Sequence, residues 1–316
     1  MLPSAVASTA PFASLAAGEF STCALGTTGA AYCWGDVAPE MPSGDAGSAA
    51  RNSPELVDGA RAFSSLATGY YHACALTATG AAYCWGSGFS GQLGDGSVID
   101  YRASPSVVTG GLRFASVSGG YWHTCGVSVQ GAAYCWGNNN WAQLGDSTRA
   151  AHGAPAPVSG AVVFARLAAG GRHTCGLSMA GDALCWGWNA FGQVGDGTTA
   201  MRLTPTPVVS SGRLVFSNIF AGWYHTCGLT ATGAAYCWGF NAHGQLGDGT
   251  TADRAVPTAV AGGLSFAVLA PGVDHTCGVT TTGATYCWGS NAYGQLGDGT
   301  TTDAHSPVLV SRIPAG

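Results

Sequence analysis

Six pairs of cysteines share the spacing Cys-x9-Cys and recur every 50 to 52 residues: Cys23 with Cys33, Cys74 with Cys84, Cys125 with Cys135, Cys175 with Cys185, Cys227 with Cys237 and Cys277 with Cys287. No cysteine is left over. Such pairs can ligate a metal or form disulfides. A pair and its nearby histidine offer zinc three ligands at best, and the first repeat has Ser21 in place of that histidine. Each pair sits in a segment of the form H-T-C-G-L-T-x-T-G-A-A-Y-C-W-G, where T-x-x-G joins two short apolar runs and spells a β-hairpin. Counting outward from the turn of the second repeat sets Leu76 opposite Ala82, Ala75 opposite Tyr83 and Cys74 opposite Cys84. Opposed residues of an antiparallel pair stand about 4.5 to 5.5 Å apart at Cα, within disulfide reach. One cross-strand disulfide per repeat is expected, and neither a metal nor another cofactor.

His72, His123, His173, His225 and His275 stand two residues before the first cysteine in five repeats, opposite a glycine such as Gly86. Their repetition points to a structural imidazole bonded to backbone between strands. Asp95, Asp146, Asp196, Asp248 and Asp298 fall in G-D-G or G-D-S turns, which an Asx side chain stabilises; the D-x-D-x-D spacing of calcium loops is absent. The G-Q-L-G-D-G segments lead into no helix and read as turns rather than phosphate cradles. There is no G-x-S-x-G elbow, Walker loop or H-E-x-x-H, and the only glutamates are Glu19, Glu40 and Glu55. No catalytic residue is assigned. An enzyme would need an axial site where two or three acidic or histidine side chains converge.

The elements that hold these residues follow from composition and period. With 50 glycines, 47% apolar and 9% charged residues, the chain reads as all-β with frequent turns. The second repeat fits four short strands, roughly 63 to 67, 72 to 77, 81 to 85 and 105 to 108, and four strands per 50 residues describe a β-propeller blade. The Tyr-Cys-Trp-Gly indoles, Trp34, Trp85, Trp136, Trp186, Trp238 and Trp288, are expected to pack between neighbouring blades. Six repeats, approximately 12–60, 63–110, 114–160, 164–212, 216–262 and 266–312, make a single domain over 1–316. Residues 1–11 supply an extra outer strand, because the pattern P-x-x-V recurs a seventh time at Pro3 to Val6. A closed six-bladed ring is the favoured expectation, with a seven-bladed ancestor as the alternative.

The pattern G-x-x-H-T-C-G-L-T-x-T-G-x-x-Y-C-W-G-x-N-x-x-G-Q-L-G-D-G-T resembles the regulator of chromosome condensation repeat, from about Phe12 to Val310. The resemblance implies a propeller, commonly of seven blades. The cysteine-bearing form is similar to exported bacterial members. The family's eukaryotic founder is a nuclear nucleotide-exchange factor for a small GTPase, an activity that six disulfides do not accompany. A secreted bacterial inhibitor of β-lactamase also resembles the family and implies a protein-binding face.

Paired cysteines at this density imply an extracellular, cell-surface or periplasmic location. The start MLPSAVASTAP lacks the features of a signal peptide, so a mature or trimmed form is expected. Net charge is −5, and the cations are eleven scattered arginines without a lysine, which disfavours nucleic acid. No apolar run is long enough for membrane insertion.

Two sites vary inside the fixed frame. One is the pair before each histidine: Glu19-Phe20, Tyr70-Tyr71, Tyr121-Trp122, Gly171-Arg172, Trp223-Tyr224 and Val273-Asp274. The other is the loop after Trp-Gly, with Phe89, Trp141, Trp188, Phe191, Phe240, His243 and Tyr293. Large aromatics carry contact energy at low entropic cost. The expected ligand residues are therefore Tyr70, Tyr71, Tyr121, Trp122, Trp141, Trp188, Phe191, Trp223, Tyr224, His243 and Tyr293. The chain reads as a binding or surface-structural module for a protein partner, with a glycan as the alternative ligand. Self-assembly through the surplus N-terminal strand is a further expectation.

Overall fold

The computed structural model describes residues 11–18, 21–35, 51–58, 61–210, 212 and 214–311. They form six antiparallel sheets of four consecutive strands each, the blades of an all-β propeller. Two compact units divide the strands, one ending at Ala169 and the other beginning at Gly170. No helix of the described residues is long and apolar enough to cross a membrane. The surplus strand expected at Pro3 to Val6 lies outside the described residues.

The repeat sets each strand's first residue. First strands open on phenylalanine, at Phe12–Ala17, Phe63–Thr68, Phe114–Gly119, Phe164–Ala169, Phe216–Ala221 and Phe266–Pro271. Second strands are Ser21–Gly26, His72–Thr77, His123–Ser128, His173–Ser178, His225–Thr230 and His275–Thr280. Third strands carry the Cys-Trp-Gly run, at Ala31–Gly35, Ala82–Gly88, Ala133–Gly137, Ala183–Gly187, Ala235–Gly239 and Thr285–Gly289. Fourth strands are Arg51–Asp58, Ile99–Val107, His152–Pro157, Arg202–Pro207, Arg254–Ala259 and Ala304–Leu309. Each contains a proline, which a sheet edge tolerates and which blunts that edge against further pairing.

The hairpin register is the one counted from the turn, with Cys74 opposite Cys84 and Ala75 opposite Tyr83. All six expected disulfides form. Cys33 is bonded to Cys23, Cys84 to Cys74 and Cys135 to Cys125 in the first three blades. Cys185 is bonded to Cys175, Cys237 to Cys227 and Cys287 to Cys277 in the last three. Their Cα separations are 4.0 or 4.1 Å. That is closer than expected, because the pairs occupy the narrow, non-hydrogen-bonded positions of the ladder. The outer strand of the second blade, expected at 105 to 108, spans Ile99–Val107 instead. A register shift between Cys84 and Gly86 lets the ladder continue to Arg102 and beyond.

The cores lie between blades. In the first unit Cys23, Cys33 and Leu25 pack with Phe63 and Trp85 of the next blade, and Cys74, Leu76 and Leu93 pack with Phe114 and Trp136. In the second unit Cys227, Cys237, Leu229 and Leu246 meet Phe266 and Trp288. A disulfide and an aliphatic residue on one blade thus face a phenylalanine and an indole on its successor, and both surfaces leave water together.

Candidate functional site

The histidines fix the strand on which the first variable pair is mounted. His72 lies 2.7 Å from Thr124 Oγ1 in the next blade, measured from Nε2. Thr124 Oγ1 donates to the main-chain carbonyl of Gln92 at 2.8 Å, and Trp136 Nε1 donates to the same oxygen at 2.9 Å. The arrangement repeats in the second unit as His173, Thr226, Gln193 and Trp238, and as His225, Thr276, Gln245 and Trp288. This corrects the expected backbone bond: the imidazole partner is a hydroxyl about one repeat further along the chain. A threonine hydroxyl has one proton, and a carbonyl can only accept it, so histidine Nε2 must carry the hydrogen. Burial lowers the histidine pKa to about 4 for His72 and about 3 for His173 and His225, which keeps the rings neutral. The glycine three residues earlier leaves room for the ring, since a Cβ at Gly69 would stand 2.2 Å from His72 Cε1.

The first junction dispenses with this relay. Ser21 replaces the histidine and Ala73 the threonine, so both partners are missing together and neither is stranded. Ala73 joins the apolar core with Cys23 and Leu25.

The turn aspartates do more than close turns. Asp95 accepts from Ser97 through Oδ1, and from Arg102 Nε at 2.6 Å through Oδ2. Arg202 pairs with Asp196, Arg254 with Asp248, and His152 takes the same place beside Asp146. Four of the arginines are therefore not scattered: Arg51, Arg102, Arg202 and Arg254 all stand opposite the glycine of Trp-Gly. Burial acts to raise Asp95, Asp196 and Asp248, but hydroxyl, backbone and guanidinium donors outweigh it and hold them below the ordinary carboxylate range. Among the described residues no three histidine, cysteine or acidic groups are placed to hold a metal ion.

The two variable sites form one edge. In the second to sixth blades the residue after Trp-Gly donates its backbone N–H to the carbonyl of the second pair member. These bonds run from Ser87 to Tyr71, Asn138 to Trp122, Trp188 to Arg172, Phe240 to Tyr224 and Ser290 to Asp274, at 2.8 to 3.0 Å. Gly86 makes the approach possible, with φ of +99° and space where a Cβ would stand 2.5 Å from Tyr71 O.

On that edge the first unit gathers Tyr70, Tyr71, Tyr121, Trp122 and Phe89. Ring centroids are 4.1 Å apart for Tyr70 and Tyr71, 4.0 Å for Tyr70 and Tyr121, 4.4 Å for Tyr121 and Trp122, and 5.4 Å for Trp122 and Phe89. The second unit gathers Trp188, Phe191, Trp223, Tyr224 and Phe240, with neighbouring centroids between 4.6 and 5.2 Å. Arg172 lies over Trp188, its Cζ 5.4 Å from the ring centroid. These rings are half-buried, apart from Phe89, which is exposed; Trp141 is half-buried too, and Tyr293 is 84% exposed. Glu19 and Phe20 lie outside the described residues.

His243 belongs to a different, charged patch. Its Nδ1 is 2.9 Å from Asp303 Oδ2, while Asp303 Oδ1 accepts from the Asn291 N–H. Burial raises the Asp274 carboxyl, His243 and His275 oppose that rise, and the negative charge of Asp303 adds to it. Among the described residues no hydroxyl or thiol is hydrogen-bonded to the His243 ring. Asp303 went unnoticed in the sequence. Its signal is the repeated T-T-x-D of Asp253 and Asp303, each capping a buried asparagine.

Among solved structures, human WBSCR16 superposes with a TM-score of 0.86 at 19% identity, covering 99% of this chain and 85% of that one. Prp20p from Saccharomyces cerevisiae gives 0.82 at 21% identity, covering 95% and 76%. At such identities the likeness concerns the fold alone. The ultraviolet-B receptor UVR8 of Arabidopsis thaliana is 32% identical over 197 residues, which are 62% of this chain and only 33% of the receptor's length. Residues 270–295 match the regulator of chromosome condensation (RCC1) repeat. Residues 2–270, most of the chain and the span of its first five disulfides, match the RCC1-like domain, and the chain belongs to that family.

Proposed function

We propose that the chain is a secreted or cell-surface binding module whose aromatic edge engages a protein partner. The observation that carries this reading is the pairing of both variable sites on one edge of the second to sixth blades, where most of the clustered rings are half-buried. The frame beneath is repetitive, with the same histidine, threonine and indole bonds recurring from junction to junction, whereas the residues of this edge differ from blade to blade. Prp20p is described by its binding to Gsp1p and histones, which supports a protein ligand for a propeller of this kind. Six disulfides favour an oxidising compartment. A glycan reader needs Asn, Asp or Arg beside its rings; Asn139, Asn189, Asn241 and Asn291 are buried, with Oδ1 of each accepting a backbone N–H of its own loop, which leaves Asn140 beside Trp141 and Arg172 over Trp188 as the polar neighbours such a ligand would use.

The test is alanine replacement of Tyr121, Trp122, Trp141 and Trp223, singly and together, followed by capture from the native cell envelope with a glycan array alongside. Loss of capture with melting lowered by a few degrees supports the reading. Glycan binding with no protein captured overturns it, as does residual capture that merely follows the folded fraction.

A further inference from the structure

Five of the loops after Trp-Gly carry a glutamine whose Oε1 is used in the same way. It accepts the backbone N–H two residues earlier, from Ser90 to Gln92, Trp141 to Gln143, Phe191 to Gln193, His243 to Gln245 and Tyr293 to Gln295, at 2.9 to 3.1 Å. The partner of Nε2 differs between blades. In the third blade it donates to Asn138 Oδ1 at 3.0 Å, and in the sixth to Ser290 Oγ at 3.4 Å. Both acceptors belong to the residue directly after Trp-Gly. In the second blade neither Ser87 Oγ nor Gln92 Nε2 has a partner among the described residues, but that position does hold an oxygen. The fourth and fifth blades place Trp188 and Phe240 there, whose side chains offer no acceptor oxygen. Gln193 and Gln245 are fully buried, and Nε2 of each has no hydrogen-bond partner among the described residues. A buried donor without an acceptor carries its full desolvation penalty, which an acceptor brought from outside relieves.

The two donors differ in the charge around them. Trp188 lies against Phe191 and Tyr224, and the Arg172 guanidinium stands 5.4 Å from the centroid of Trp188 and 6.0 Å from that of Tyr224. Gln245 sits instead at the acidic patch: a Cβ at Gly289 would stand 2.6 Å from Asp274 O and 3.2 Å from Gln245 Cα. A carboxylate is therefore favoured at Gln193 and disfavoured at Gln245.

We propose, resting on the reading of this edge as a protein-binding surface, that the Trp188 indole is a lid over a carboxylate site, into which the partner inserts an aspartate or glutamate side chain. Trp188 is half-buried and lies just past the strand Ala183–Gly187, so turning its indole aside breaks no ladder bond. One carboxylate oxygen then accepts from Gln193 Nε2, while Arg172 supplies the opposing charge at the rim.

NMR of the folded, disulfide-intact chain with isotope-labelled glutamine tests the site, using N-acetylglutamate amide and its glutamine and lysine analogues as probes. The glutamate probe should shift the Gln193 side-chain amide saturably and the Gln245 amide far less. The neutral glutamine analogue should bind about tenfold more weakly or worse, and the lysine analogue should leave Gln193 unmoved. Trp188→Asn, which restores the amide oxygen that Asn138 provides in the third blade, should satisfy Gln193 from within and abolish the shift. A Gln193 amide unmoved by the glutamate probe, or moved equally by all three, overturns the proposal, as does a shift that persists in Trp188→Asn. The wild-type titration decides the matter even where the variant fails to fold. Gln193→Glu keeps the acceptor for the Phe191 N–H and removes the donor. Capture from the cell envelope that is lost in Trp223→Ala yet unchanged in Gln193→Glu overturns the carboxylate site and leaves the protein-binding edge standing. Saturable binding of the glutamate probe with no envelope protein captured supports the site and counts against the edge as a protein-binding surface.

Discussion

Lowering the pH from about 7.5 to about 5.5 is expected to remove roughly 4 kcal/mol of folding stability, because histidines are locked in the neutral form. His72, His173 and His225 have folded pKa values of about 4, 3 and 3, lowered by burial. In the unfolded chain the same rings titrate near their ordinary value of about 6.5. The unfolded state therefore takes up protons first, and stability falls from about pH 6.5 downward until the folded values are reached. At about pH 5.5 each ring costs about 1.4 kcal/mol, and three of them account for the figure. Asp95, Asp196 and Asp248 are held below the ordinary carboxylate range, so their contribution is lost only in stronger acid. Asp274, raised by burial, acts in the opposite sense. Guanidinium unfolding followed by tryptophan fluorescence, with the disulfides intact, measures the effect at each pH. Replacing His225 by glutamine should remove about a third of the slope. A stability that is flat between these pH values, or a slope unchanged in His225→Gln, would refute the neutral-imidazole relay.

Intact mass should show all twelve cysteines oxidised, as the six bridges require. Each closes a short loop worth at most about 3 kcal/mol, and less where the hairpin already restricts it; free thiols in the native protein would refute both the pairing and the compartment. Asp248→Asn should cost about 1.5 to 3 kcal/mol by thermal melting, since it removes the acceptor charge facing Arg254 and Thr250. At the first junction, Ser21→His alone should destabilise the protein, and adding Ala73→Thr should recover about 1 kcal/mol or more, read as the coupling energy of a double-mutant cycle; strict additivity would show that the hydroxyl is not the imidazole's partner.

Blade count, hairpin register and cysteine pairing were all legible because they are local: each follows from residues within about a dozen positions of one turn. The partner of His72 was not legible, since Thr124 lies 52 residues away on a neighbouring blade. A repeat aligned to itself shows that both residues recur but not that one touches the next copy of the other. Arg102, Arg202 and Arg254 looked scattered because the loop between aspartate and arginine differs in length by one residue between blades. The variable aromatics were found as a set, but their division into an aromatic cluster in each unit and a separate charged patch at His243, Asp274 and Asp303 depends on which blade follows which.

The paired absence of His at Ser21 and Thr at Ala73 bears on how such chains can be rearranged. The relay histidine of one blade and the relay threonine of its successor belong to one junction, yet within a blade the two residues are neighbours, as in His225-Thr226. A cassette excised between blades therefore carries half of one junction and half of another. Exchanging the first blade with the fifth as whole cassettes would set Ser21 before Thr276 and His225 before Ala73, stranding a buried hydroxyl in one place and an imidazole in the other. A cut between blades divides one such junction and a cut inside the His-Thr dipeptide divides two, so a rearrangement conserves this chemistry only where it again sets a histidine before a threonine, or a serine before an alanine.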